Sequence, residues 1–325
     1  MPITGPSSYL ETTDEFLEHW DEANTELGAG NEVAFADGTN RATLVTKRAL
    51  LVTKRTAVTQ KKNDEEFGRG DVETKKTALL ARFGQFTDRL RGNYPDSKWV
   101  RALPEIPNQT DGQATVVEAL EDVDNIWAEF NADPANPTPI TVAGAYTRMQ
   151  FRADVDALIA AYKSLQSAGK GLEIARERRN DVQDEIYPNL KNYRQVFPSY
   201  FVKGHALIDS LPRLSPEPGA TPAAVTINAA WDGTEQKARV TFNASSEPNV
   251  DHYSVRYTIG LTYSSDDEIV IDSIPAGPGP FTFFTDASLA VPGDAITIKV
   301  FTVNDTQNER GSNAVTVIRP AAPPP

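Results

Sequence analysis

The sequence predicts a multidomain α and β protein, with an all-α helical bundle region followed by an antiparallel β-sandwich. Hydrophobic residues recur with helical spacing from Tyr9 to about Leu211, and β-branched residues alternate with polar ones from Ala224 onward. Between these patterns the composition changes abruptly to proline and glycine, which is typical of a linker. The chain of 325 residues is long enough for two or three domains, each with its own core.

The first long hydrophobic pattern predicts a helical hairpin. Its apolar positions are Leu44, Leu51 and Val58, followed by Val72, Leu79, Phe83, Phe86 and Leu90. The intervening segment, 67–71, contains two glycines that can turn the chain, and Asp71 can cap the helix that follows. Arg69-Gly70-Asp71 spells an adhesion tripeptide, but a position in a helical turn favours a structural purpose.

A second pattern of the same kind predicts a second helical hairpin. Its apolar positions are Phe151, Val155, Leu158, Tyr162 and Leu165 before a break, and Leu172, Ala175, Val182, Ile186 and Tyr193 after it. The break at 167–171 contains Gly169-Lys170-Gly171, which lacks the full spacing and the preceding strand of a phosphate-binding loop. We therefore predict a turn there.

The two halves of the helical region resemble each other at an offset near 107 residues. Residues 16–24 read FLEHWDEAN and residues 123–131 read VDNIWAEFN, so that Trp20 aligns with Trp127. Two further segments, 49–51 and 103–107, align with 157–159 and 211–216. We predict a tandem duplication of a three-helix unit, over 1–108 and 109–215, with both tryptophans in the core. The two units either stay separate or pack as one helical domain.

The remaining chain divides into a Pro-rich linker at 216–223, a sandwich at 224–319 and a Pro-rich tail at 320–325. The candidate strands are 224–229, 238–243, 252–259, 268–274, 281–285, 295–303 and 313–318. Seven short strands with turn residues between them predict a sandwich of about 100 residues.

The sandwich segment resembles a fibronectin type III domain. Residues 250–257, VDHYSVRY, look like the third strand of that family, with its Tyr-x-Val-x-Tyr pattern, and 292–304 is similar to its turn and sixth strand. Two family positions differ, because Phe242 replaces the usual Trp and Ile296 replaces the corner Tyr, although both can fill a core. The resemblance implies an Ig-like or fibronectin type III-like sandwich that acts as a binding or spacer module.

Charge and residue types exclude several functions. The formal net charge of −13 argues against nucleic acid or anionic lipid as a partner, and the absence of cysteine excludes disulfides and thiolate chemistry. No run of eighteen apolar residues occurs, so we expect no membrane insertion. Residues 1–9 lack the basic and apolar parts of a signal peptide, which leaves the compartment open; the sandwich favours a cell-surface or extracellular location.

No residue set in the sequence predicts a catalytic, cofactor or metal site. The three histidines, His19, His205 and His252, are scattered. The acidic clusters at 121–124 and 266–268 lack calcium-loop spacing, and we interpret them as helix-start charge and a solvated loop. The predicted binding residues lie in the polar connection 304–313 and are Asp305, Gln307, Asn308, Glu309 and Arg310.

These observations favour a non-enzymatic structural, assembly or adhesion protein. Its partner is expected to be a protein, including a second copy of itself, so that the helical hairpins mediate assembly into a homo-oligomer or filament. A ligand- or carbohydrate-binding accessory protein of a secreted bacterial system is the alternative, and an enzyme on an unfamiliar helical fold is a third interpretation. If every apolar helix face packs within one monomer, the chain has no need to assemble.

Overall fold

The computed structural model describes residues 2–136, 138–216 and 219–321. The helices in this part of the chain are α1 (Tyr9–Leu27), α2 (Arg41–Asn93), α3 (Lys98–Ala102), α4 (Gln113–Ala132), α5 (Arg148–Val196) and α6 (Ala206–Asp209). Strands follow from residue 227 onward. The predicted combination of a helical region and a C-terminal β-sandwich is confirmed. Residues 217–218 of the predicted linker and 322–325 of the predicted tail lie outside the described residues.

Contacts divide the chain into two compact units. The first comprises Met1–Gln60 and Ile174–Pro325, and the second comprises Lys61–Glu173. The first unit therefore contains α1, the sandwich and one part of each long helix, whereas the second contains α3, α4 and the other parts of α2 and α5. Each predicted helical unit, 1–108 and 109–215, contributes residues to both compact units.

Both predicted hairpin turns are wrong, because α2 and α5 continue through them without interruption. Gly70 of the adhesion tripeptide and Gly169 of the second break are helical residues. Glycine lowers helix propensity by about 1 kcal/mol, which neighbouring turns and side-chain pairs can offset. On α2, Arg69 pairs with Glu65, and Lys75 pairs with Asp71. Each repeat therefore has one long helix where a hairpin was predicted, preceded by the Trp-bearing helix and followed by a short helix, α3 or α6.

The same two hydrogen bonds follow each Trp-bearing helix, α1 and α4. The indole N–H of the Trp donates to a carbonyl 13 positions later, and an Asn side chain accepts from a backbone N–H 9 positions later. The residues are Trp20, Asn24 and Val33 in the first unit, and Trp127, Asn131 and Ile140 in the second. Distances of 2.9 to 3.0 Å in both sets support the predicted duplication.

Each unit has an apolar core with its tryptophan fully buried, which confirms the predicted placement of Trp20 and Trp127. The Trp20 ring lies 4.5 Å from Tyr193, and the Trp127 ring lies 4.5 Å from Phe86. Phe86 belongs to the first repeat and Tyr193 to the second. Because each tryptophan packs against the other repeat, both cores are built from two repeats.

The sandwich consists of two antiparallel sheets. Its strands are β1 (Ile227–Asp232), β2 (Lys237–Phe242), β3 (Val250–Ile259), β4 (Ile269–Pro275), β5 (Phe281–Thr285), β6 (Ala295–Asn304), β7 (Glu309–Gly311) and β8 (Val315–Ile318). One sheet has the order β1-β2-β5 and the other β4-β3-β6-β7, with β8 also paired to β6. Each of the seven predicted strands overlaps an observed strand, and β7 lies inside the connection that was predicted as a loop.

The sandwich core lies between the two sheets. Phe242 and Ile296, which replace the expected Trp and Tyr, are both buried, and the Phe242 ring packs edge-on against Tyr253 at 5.1 Å. Among residues 2–136, 138–216 and 219–321, no helix has both the length and the apolar character needed to cross a membrane.

Helix continuity at the mispredicted turns can be tested with glycine substitutions. We expect Gly70→Ala and Gly169→Ala each to raise the free energy of unfolding by about 0.5–1 kcal/mol, because alanine favours a helix and the added Cβ meets no atom within 4 Å. Urea denaturation followed by circular dichroism measures this. Gly144→Ala is the control and should destabilise, since Gly144 has a φ of +77°. Destabilisation by Gly70→Ala would indicate a turn.

Candidate functional site

The five predicted binding residues lie in or next to β7, and the structure organises their segment more tightly than a free loop. Asp305 and Arg310 are exposed, whereas the residues between them are partly buried. The Asn304 side chain accepts a hydrogen bond from the N–H of Asn308 at 2.8 Å, and its amide donates to the carbonyl of Ala220 at 3.0 Å. The binding role of Asp305, Gln307, Asn308, Glu309 and Arg310 stays a prediction.

Glu309 points into the domain, where it meets a buried arginine on β3. The Arg256 side chain is 3% exposed, and its Nη1 and Nη2 donate to the two carboxylate oxygens of Glu309 at 3.0 and 2.5 Å. A second carboxylate, that of Glu268, accepts from the same guanidinium at 2.9 Å. Burial alone would lower the pKa of Arg256, but the hydrogen bond and charge of Glu309, together with Glu268, raise it. Arg256 therefore stays cationic.

Glu268 connects the sandwich to the N-terminal segment that precedes α1. Its Oε1 accepts a hydrogen bond from the hydroxyl of Ser7 at 2.6 Å, and its Oε2 accepts from the hydroxyl of Tyr263 at 2.6 Å. Burial and then the charge of Glu268 raise the pKa of Tyr263, so this hydroxyl stays protonated and donates. Both oxygens of the buried carboxylate thus accept hydrogen bonds from protein groups.

Three arginines from the long helices bind the acidic segment 266–268. This segment is the last part of the connection between β3 and β4. On α5, Arg176 pairs with Asp267, and Arg179 donates to the carbonyl of Asp266. On α2, Arg55 donates to the carbonyl of Ser7 at 3.0 Å and to that of Glu268 at 3.3 Å. This segment, together with Ser7, Arg256 and Glu309, is the helix–sandwich junction.

The prediction of a solvated loop at 266–268 is wrong for two of its three residues. Asp266 is exposed, but the side chains of Asp267 and Glu268 are 2% and 5% exposed. Their charges can be buried because cations from two helices and from β3 compensate them. The partner arginines lie far away in sequence, so no local pattern connects them with the acidic run.

The junction has a small cavity of about 20 Å³, which has space for about one water molecule. Burial lowers the pKa of Arg55 and of Arg179, and the like charge of Arg179 lowers that of Arg55 further. The arrangement holds the segment 266–268 against α2 and α5.

The other acidic cluster, 121–124, lies in the middle of α4, so its interpretation as helix-start charge is wrong. The Asp124 side chain is 2% exposed and accepts two hydrogen bonds of 2.6 Å from Arg148. Within the described ranges, no group of three or more histidine, aspartate or glutamate side chains could hold a metal ion.

His19 is a buried structural residue in the core of the first unit. Its Nε2 lies 2.8 Å from the carbonyl oxygen of Leu207, and its Nδ1 lies 2.8 Å from the hydroxyl of Tyr193. Because a carbonyl only accepts, Nε2 carries the proton and Nδ1 accepts from the tyrosine. Burial lowers the pKa of His19 and raises that of Tyr193, which keeps both groups neutral.

Removal of the buried cation should be costly. We expect Arg256→Met to lower the free energy of unfolding by about 3–5 kcal/mol, because Glu268 and Glu309 remain buried without their partner. Urea denaturation measures the loss. Arg239→Met on the exposed face of β2 is the matched control, with an expected change within about 0.5 kcal/mol. If Arg256→Met and Arg239→Met changed the free energy of unfolding equally, the ion pairs of Arg256 would contribute nothing to stability.

The buried histidine predicts a pH dependence. The unfolded chain binds a proton at His19 near pH 6.5, whereas the folded chain binds it only at lower pH, so the unfolded state is favoured as the pH falls below about 6.5. We expect the free energy of unfolding to fall less between pH 7.5 and 5.5 in His19→Gln than in the wild type. Urea denaturation at each pH measures the slope, and a wild-type slope in His19→Gln would contradict the assignment.

No protein-family model and no curated protein matches this chain. Pectate lyase PelI from Erwinia chrysanthemi, in complex with tetragalacturonic acid, is 22% identical over 29% of this chain and 28% of that chain, with a TM-score of 0.24. A Fn3-like protein from Clostridium thermocellum is 20% identical over 32% of this chain and 99% of that chain, with a TM-score of 0.25. The matched part thus spans just over a quarter of the lyase. At these TM-scores the similarities assign neither family nor activity.

Proposed function

We propose that this protein is a non-enzymatic structural protein, in which a fibronectin type III-like sandwich is fixed to a helical framework that self-associates. The helix–sandwich junction is the observation that carries the proposal. Its buried carboxylates, Asp267 and Glu268, bind arginines from the helices and from the sandwich itself. These charged groups bind other parts of the same chain, which supports a role in attachment.

The physical character of the junction supports a fixed attachment. Burying a charge costs several kcal/mol unless its partners are well placed, so a buried ion pair contributes little net stability but strongly disfavours other arrangements. Arg176 pairs with Asp267, and Arg179 lies 3.9 Å from it, so these contacts depend on the position of the segment 266–268 against α5. A module that only had to be tethered would be served by the proline-rich linker alone. The sandwich is thus presented to its surroundings in a defined orientation.

The helices provide the support for self-association. Val45, Leu50 and Val52 on α2 are 39%, 41% and 37% exposed, although they are large apolar side chains. Clusters of exposed apolar residues are typical of interaction surfaces. The exposed groups of the sandwich, among them Asp305 and Arg310, remain free in this arrangement to contact a foreign protein.

Self-association is tested by light scattering on the size-exclusion peak over a wide range of protein concentration, with negative-stain imaging of the same fractions. We expect a mass above that of the 35.5 kDa monomer that rises with concentration, and discrete oligomers or filaments in the images. A monomer at every concentration would contradict self-association. Oligosaccharide binding would then be the next measurement, since a carbohydrate-binding accessory protein is the alternative.

A further inference from the structure

The first part of α2 has an exposed face without charge. We define the α2 face as Ala42, Val45, Thr46, Ala49, Val52, Thr53 and Thr56, all of which are exposed. Its three threonine hydroxyls donate to carbonyls four positions earlier, at 3.0 to 3.1 Å. Because these polar groups form hydrogen bonds within the helix, the face offers mainly methyl groups to its surroundings.

The sequence of this part of α2 also repeats every seven residues. The segments 42–48 and 49–55 differ at one position only, and seven residues is the period of helices that pair in coiled coils.

The duplicated helix shows that the fold does not require such a face. The paired hydrogen bonds of Trp20 and Trp127 set the offset at 107 residues, which shifts the predicted alignment of 49–51 with 157–159 by one position. Val45 and Ala49 then correspond to Arg152 and Asp156, which form an ion pair of 2.7 Å on the surface of α5. Thr56 corresponds to Lys163, which is exposed. Three of the seven equivalent positions of the second repeat are thus charged, whereas the α2 face has no charged residue. An uncharged exposed surface of this kind is typical of a contact with a partner.

The charges that the first part of α2 itself carries beside the α2 face all have one sign. Residues 41–60 contain five basic residues and no acidic one: Arg41, Lys47, Arg48, Lys54 and Arg55. Arg41, Lys47 and Arg48 have acidic neighbours on other helices, Asp21, Glu185 and Asp14, at 3.2, 3.5 and 2.7 Å, and Arg55 belongs to the helix–sandwich junction. A partner that suits this surface is apolar at its centre and acidic at its rim.

A groove of that description lies between α4 and the first part of α5. It has a volume of about 530 Å³ and includes the apolar side chains of Ala114, Val117 and Ile159. The acidic residues at the groove are Glu118, Glu121 and Asp122. Helix α4 has five acidic residues and no basic one: Glu118, Glu121, Asp122, Asp124 and Glu129. Glu121 is 3.8 Å from Arg152, whereas Glu118 and Asp122 are exposed. We call this the α4–α5 groove.

The equivalent groove of the first unit already serves as a docking position. The offset of 107 residues relates Ala114, Val117 and Ile159 to Ser7, Leu10 and Val52, which line a groove together with residues 269–270 of β4. The sandwich thus covers part of the first groove, while the α4–α5 groove remains open. Duplication has therefore produced two docking grooves of the same construction.

The two grooves select different occupants. The arginines that hold the sandwich, Arg55 and Arg179, correspond to Tyr162 and Val72 in the second compact unit. Without these cations the α4–α5 groove cannot compensate an acidic segment such as 266–268. Its own acidic rim requires a basic partner instead, and the α2 face with its basic flanks meets that requirement.

We propose that the α4–α5 groove of one copy binds the α2 face of a second copy. This inference rests on the proposed self-association and names the two surfaces that carry it. The apolar centres meet, and the acidic rim of the groove faces the basic flanks of α2. Because the two surfaces differ, the contact is head-to-tail and generates a ring or a filament.

The inference is tested on the full chain with two double variants. Val45→Arg/Ala49→Asp places on α2 the ion pair that α5 carries at Arg152 and Asp156, so the helix should form as before while the α2 face is blocked. Glu118→Lys/Asp122→Lys reverses the rim of the α4–α5 groove. Light scattering should give the 35.5 kDa monomer for each variant at concentrations where the wild type assembles. Circular dichroism verifies that the variants are folded, and Lys191→Glu, an exposed charge reversal on α5, should assemble as the wild type does.

Mixing the two double variants distinguishes head-to-tail contact from pairing of identical surfaces. One variant retains only the groove and the other only the α2 face, so an equimolar mixture should form a dimer of about 71 kDa and no larger species, that is, twice 35.5 kDa. Assembly of Glu118→Lys/Asp122→Lys alone would overturn the inference, because α2 would then bind another α2. Unchanged assembly of both variants would overturn it as well and leave the proposed function intact. A monomeric wild type would contradict the proposed function itself.

Discussion

Arg256 carries its charge inside the sandwich, away from water, and the chain around it is arranged so that two carboxylates reach one guanidinium. Glu309 arrives from β7 and Glu268 from the residue before β4. The same Glu268 also accepts a hydrogen bond from the hydroxyl of Ser7, so the network around the buried cation extends beyond the sandwich to the N-terminal segment. If one of these charged groups lost its partner, the remaining buried charge would cost several kcal/mol in desolvation. The attachment of the sandwich therefore depends on the complete set of partners.

The helical region is held together differently, because the same hydrogen bonds recur around both of its apolar cores. In both units a buried tryptophan fixes the backbone that leaves its helix by one indole hydrogen bond. The ring then packs against an aromatic residue from the other repeat. Directional bonds determine where the chain goes, and the large apolar area supplies most of the stability.

Periodicity was sufficient to predict what depends on local pattern. The alternation of the sandwich gave strands that overlap the observed ones, and the matched tryptophans indicated the duplication. The glycines at 68–70 and 169–171 were misleading, because a helix tolerates glycine when the turns on either side are well supported. The junction could not be predicted, since Arg55, Arg179 and Glu268 are distant in sequence and only the fold brings them together. The run of acidic residues at 266–268 gave no sign that it would be buried.

The way the cores are shared between repeats has a consequence for how such a chain can be divided. Phe86 of the first repeat completes the core around Trp127, and Tyr193 of the second completes the core around Trp20. Neither repeat contains a full set of core side chains, so a fragment cut between them would leave each tryptophan without its aromatic neighbour. The smallest part of the helical region that folds is therefore larger than one repeat. A single repeat of this design would need a second chain to complete its core, and two repeats in one chain make that exchange internal.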